Sequence, residues 1–151
     1  MPIDNRQGPA GCGDEDATSV RAHEDGIPAF LVPARAARFK AMIGSEKGRE
    51  KITARLPHHA RDFDPRYATK LSSSLRVDDI AEVLRAGGAP TRCYVLAGGS
   101  DFDGQLVDLH DALSDVVGYG GALISCIPGR LGLFADEGPG SQWLLQRTAG
   151  R

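Results

Sequence analysis

The chain has 151 residues, 41% hydrophobic and 25% charged, with a formal net charge of -2, enough for one domain that buries a core without metal or disulfide staples. No stretch approaches the roughly 20 consecutive apolar residues that span a bilayer, and no basic region followed by an apolar run marks a secretory signal. Cys93 and Cys126 lie in apolar runs, which reads as reduced, buried thiols in a cytoplasmic protein rather than as a disulfide framework.

Residues 1–26 are rich in Gly, Asp and Glu, with Ile3 and Val20 as scattered apolar positions. Such a segment buries too little surface to offset its ordering entropy, so it is expected to be a mobile acidic tail. A single α+β domain is expected over 27–151. It opens with a short strand at Ala29-Phe30-Leu31-Val32. Pro33 then suits a first helical turn, and Ala36, Phe39, Met42 and Ile43 recur at helical spacing over 34–43. Ser45 can cap a second helix ending before Pro57. There Lys47, Lys51 and Arg55 line up four apart on an outer face, and Gly48 costs about 1 kcal/mol relative to Ala. Residues 57–74 read as a long irregular connection.

Further on, Ser74 or Asp78 can cap a helix carrying Ile80, Ala81, Val83 and Leu84, closed by Gly87-Gly88. Cys93–Ala97 reads as a buried strand, Asp103-Gly104 as a turn, and Asp108 as the cap of a helix bearing Leu109, Ala112, Leu113 and Val116. Leu123–Ile127, a Pro128-Gly129 turn and Leu131–Ala135 form a hairpin, followed by a strand at 142–146. The expected architecture is an antiparallel or mixed sheet of four to five strands with helices mainly on one face.

Charge is sorted along the chain. Residues 32–70 hold ten of the eighteen Lys and Arg but only four of the twenty acids. A basic middle between acidic flanks suits an anionic partner, and its binding set is Arg35, Arg38, Lys47, Lys51, Arg55, Arg61 and Arg66. Phe39, Phe63 and Tyr67 interleave with it and would stack on bases only if exposed. An acidic helix start, Asp108 and Asp111 with Asp115 beyond, provides the opposite pole.

His58, His59, Asp62 and Asp64 fall within seven residues, and imidazole with carboxylate can hold a divalent metal. The helical spacing of four is missing, and a solvated loop produces the same pattern. Gly98-Gly99-Ser100-Asp101 follows an apolar strand, where loop amides can cradle phosphate. It lacks the lysine and the immediate helix of the nucleotide fingerprints. Phe102–Leu113, Phe-Asp-Gly-Gln-Leu-Val-Asp-Leu-His-Asp-Ala-Leu, is similar to the opening of barstar-type ribonuclease inhibitors, where a strand and turn lead to an Asp-bearing helix. The likeness stops there, because the aromatic-Gly-Asn-Leu-Asp segment that should follow is absent.

No nucleophile, base and orienting group can be assembled, and no cofactor is implied. The sequence therefore reads as a non-catalytic binding or regulatory domain. Its partner is expected to be a charged protein or a second copy of the chain, ahead of nucleic acid, with no membrane. A metal-dependent or phosphate-directed hydrolase using the His58–Asp64 loop is the alternative.

Overall fold

A strand with apolar side chains at successive positions needs cover on both faces of its sheet, and that requirement organises this molecule. The computed structural model describes residues 17–55, 60–117, 121–136 and 141–147. Its strands are β1 (Ala68–Lys70), β2 (Arg92–Leu96), β3 (Leu106–Asp108), β4 (Ala122–Ile127), β5 (Leu131–Ala135) and β6 (Gln142–Gln146). They form one antiparallel sheet in the order β1-β6-β5-β4-β2-β3. The class is α+β as expected, with one strand more than the upper expectation.

The helices are α1 (17–26), α2 (Pro33–Met42), α3 (Glu46–Arg55), α4 (Val77–Ala86) and α5 (Leu109–Val116). Strand alternation divides the core in two. Cys93, Val95, Ile124 and Leu133 pack with Ile80 and Leu84 of α4 and Leu109 and Leu113 of α5. Tyr94, Leu96, Leu123 and Phe134 pack on the other face with Ile27, Phe30, Phe39 and Ile52. Helices therefore cover both faces, where the sequence suggested mainly one. The continuous burial of β2 from Cys93, of β4 as far as Cys126 and of β5 throughout is the physical reason, since neither face of these stretches meets water.

Three further expectations change. The strand expected at 29–32 does not form; its first half belongs to a 3-10 turn, Ile27–Phe30. Ile27 and Phe30, three apart and eclipsed in such a turn, both reach the core, and Leu31 makes only a single bridge to Phe63. The 57–74 connection contains a second 3-10 turn, Ala60–Asp62, and the edge strand β1. Its residues 57–59 lie outside the described set. The expected tail also shortens: residues 17–26 are helical with His23 buried, so the fold begins ahead of Ile27, and residues 1–16 lie outside the described set.

The caps show local chemistry at work. Ser45 Oγ accepts the Gly48 N–H at 3.0 Å, capping α3 as its sequence suggests. Asp108 Oδ2 caps α5 by accepting the Asp111 N–H at 3.2 Å. On α4 neither Ser74 nor Asp78 caps. Asp79 instead reaches back to the Arg76 N–H at 2.9 Å, the returning half of a capping box.

Candidate interaction face

Helices α2 and α3 pack beside each other over the Phe39–Ile52 side of the sheet. Pro33 starts α2, where its missing N–H is no loss. Phe39 and Ile52 turn inward, each less than a tenth exposed. What remains outside is mostly basic: among the described side chains of α2 and α3, Arg38, Lys40, Lys47 and Lys51 are exposed against Glu46 and Glu50.

Those cations divide by what they touch. Arg38, Lys40, Lys47 and Lys51 are exposed and make no ion pair with the described residues. Arg35 holds Asp62 at 3.2 Å. Arg66 grips Asp64 with Nε and Nη2, the shorter contact being 2.8 Å, and its guanidinium lies 5.0 Å from the Tyr67 ring centre. Arg61 is exposed on the Ala60–Asp62 turn. Arg55 ends α3, and its side chain lies outside the described set. Unpaired cations held on two packed helices can bind an anion without breaking an internal contact, whereas Arg35 and Arg66 would first have to leave a carboxylate.

Arg49 behaves differently. From α3 it points inward, with 19% of its side chain exposed, and its Nη1 donates to Glu24 Oε2 at 2.8 Å. Its Nε and Nη2 form a two-point contact with the Asp103 carboxylate at 3.1 and 2.9 Å. Tyr94, buried on β2, donates its hydroxyl to the same Glu24 oxygen at 2.6 Å. Asp103 also accepts the Ala97 N–H at 2.8 Å. Next to this network, His23 Nδ1 and Ser125 Oγ share a 2.6 Å hydrogen bond, and the imidazole stacks on Tyr94. Burial pushes the His23 imidazole down to about 4. Burial and the bond to Glu24 push the Tyr94 phenol up, out of range of ordinary titration. These groups tie α1, α3 and the 97–104 loop to the sheet, so the outer cations stand on a braced platform. Sequence reading missed this network. Its available signal was Tyr94, a hydroxyl inside an aliphatic strand that must find a partner when buried.

The hydrolase residues are placed as follows. His58 and His59 lie outside the described residues. Asp62 and Asp64 do not converge on one point but face separate arginines, Arg35 and Arg66. The Arg66 hydrogen bonds hold the Asp64 carboxyl below its usual range. The Gly98–Asp101 loop borders an open cleft of about 530 Å³ lined by Glu46, Glu50, Thr53 and Asp103. Three carboxylates around that cleft disfavour phosphate, and its arginine, Arg49, is already engaged. Ser100 Oγ donates to Asp115 Oδ2 at 2.6 Å, which gives Asp115 a local role. Cys93 and Cys126 are buried, and a hydrogen bond with Cys93 together with burial pushes the Cys126 thiol up. Phe39 and Phe63 are buried as well, so neither offers a ring to a nucleobase.

The opposite layer has the reverse sign. Helices α4 and α5 carry Asp78, Asp79, Glu82, Asp111 and Asp115 against Arg85, all exposed. Asp78 accepts from His110 Nε2 at 2.8 Å. The sheet thus separates a basic helix layer from an acidic one. No helix among the described residues is long and apolar enough to cross a membrane. Compared with known proteins, the chain matches no family model, no curated protein and no solved structure.

Proposed function

We propose that this protein is a non-catalytic binding domain whose α2–α3 face recognises an acidic protein surface. The observation that carries the reading is the separation of charge by the sheet. Exposed cations with no ion pair among the described residues, Arg38, Lys40, Lys47 and Lys51, stand on one helix layer, and acids populate the other. Such a field steers an oppositely charged partner and fixes its orientation. A protein surface suits the face better than a nucleic acid. A polyanion extending past the face meets the acidic layer, and the nearby Phe39 and Phe63 are not available for stacking.

The test is capture from a native-host lysate by the immobilised full chain and by the Lys47→Glu/Lys51→Glu/Arg55→Glu variant. A protein retained by the natural chain, released at several hundred millimolar salt and not retained by the variant is the expected result. Equal retention by both would sink the reading. Thermal unfolding of the variant guards the comparison, since substitutions at exposed positions such as Lys47 and Lys51 should each alter stability by about 0.5 kcal/mol or less.

A further inference from the structure

Between α2, α3 and the Asp62-Phe63 segment the surface opens into an apolar pocket of about 50 Å³. Its apolar lining includes Phe39, Met42, Ile52 and Phe63, and its charged lining is Arg35 and Arg38 with Asp62, the carboxylate that Arg35 already holds. We infer that this pocket is the anchor point of the basic face: it takes one branched aliphatic side chain of a partner segment in which that residue is flanked by carboxylates. This inference rests on the binding reading above and names the chemistry of the partner.

Size, lining and charge each narrow the occupant. An enclosed apolar cavity of roughly 150 Å³ takes up a benzene ring, and at about 50 Å³ this pocket suits a smaller group better than an aromatic ring. A water-sized group occupies on the order of 10–15 Å³ by the same measure, which leaves room for about four carbons, the size of a leucine side chain. A polar side chain would lose hydration against Phe39, Ile52 and Phe63, which offer it no hydrogen bond.

The charge argument separates the two marginal arginines. Arg35 is engaged by Asp62, whereas Arg38 has no ion-pair partner among the described residues. Lys51, next to the pocket residue Ile52, is also exposed and without one. A segment seated by its aliphatic residue would present neighbouring carboxylates to these two cations. Binding energy concentrates in a few central, desolvated contacts surrounded by ones that mainly exclude water.

The chain offers its own reporter, because it contains two methionines, Met1 and Met42, and Met42 lines the pocket. The experiment labels the methionine methyl groups of the full chain with carbon-13 and titrates it at low salt with the peptide acetyl-Asp-Glu-Leu-Asp-Glu amide. The Met42 methyl resonance should move and saturate. The matching peptide with alanine in place of leucine should bind roughly tenfold more weakly, and the Arg38→Glu/Lys51→Glu variant should lose the response. Equal affinity for the leucine and alanine peptides, with loss in the variant, overturns the pocket while leaving the basic face standing. An undiminished response in the variant overturns both. A Met42 methyl unmoved by either peptide overturns the anchor alone, and the capture experiment then decides the face independently.

Discussion

Arg49 is held by Glu24 on one side and by a two-point contact with Asp103 on the other, with the Tyr94 ring 5.7 Å from its guanidinium carbon. Cutting it to alanine leaves two carboxylates facing each other with their cation gone. The Arg49→Ala variant should lose about 2–4 kcal/mol, somewhat below the range for a fully buried pair because the group is not fully dry. Tyr94→Phe removes one hydrogen bond to a charged acceptor and should cost about 1.5–3 kcal/mol. Urea unfolding of both variants checks the order. Equal and small losses would show that the brace is weaker than its geometry implies.

His23 gives the same layer a dependence on pH. Its folded value, about 4, lies below its ordinary 6.5, so between those values the unfolded chain binds more protons than the folded one. The contribution of the neutral imidazole is complete above about pH 6.5 and is lost as pH falls toward 4, at about 1.4 kcal/mol per unit and about 3 kcal/mol in all. Urea midpoints measured from pH 7 to pH 4.5 should fall over that window, and His23→Asn should flatten the slope. A slope unchanged by that substitution would assign the effect to other groups.

At the level of elements, Gly48 shows where helix propensity misleads. By propensity alone, replacing a helical glycine by alanine gains up to about 1 kcal/mol. Here an added Cβ would run into the Met42 carbonyl group at the end of α2 and approach Ser45 Oγ at 2.8 Å. Backbone atoms cannot swing aside as a flexible side chain can. Gly48→Ala should therefore destabilise the protein, and a raised melting temperature would refute the argument.

The same scale explains what could be read from the sequence. α2, α3, α4, α5, β2, β4, β5 and β6 all announced themselves, because their apolar spacing matched their packing. α1 did not, because the residues that seat it are His23 and Glu24, and apolar periodicity cannot register a polar seat. β1 and β3 are three residues long, too short for an alternation to stand out. Residues 29–32 misled in the other direction. Phe30 is apolar and buried, but between Pro28 and Pro33 it belongs to a 3-10 turn rather than a strand.

For the molecule as a whole, one-dimensional charge sorting became three-dimensional sorting because α2 and α3 are consecutive, while the acidic α4 and α5 pack on the far side of the sheet. The composition of the basic face was legible. Which of its cations are free was not, since Arg35, Arg49 and Arg66 are matched to acids by tertiary contacts. Arg49 is 25 positions from Glu24 and 54 from Asp103, distances over which spacing rules are silent. The anchor pocket was equally hidden, because it is a gap between α2, α3 and Phe63 rather than a pattern along any one of them.

The two outermost strands of the sheet carry a consequence for association. β1 and β3, three residues each, form its borders, and they end in Lys70 and Asp108, both exposed. So short a border offers an incoming strand few backbone hydrogen bonds, and a charged side chain penalises its approach. Runaway strand addition, the route to fibrils, is therefore poorly templated at either side. Contacts with other molecules are steered toward side-chain chemistry on the helices, where affinity can be tuned by salt and by single substitutions.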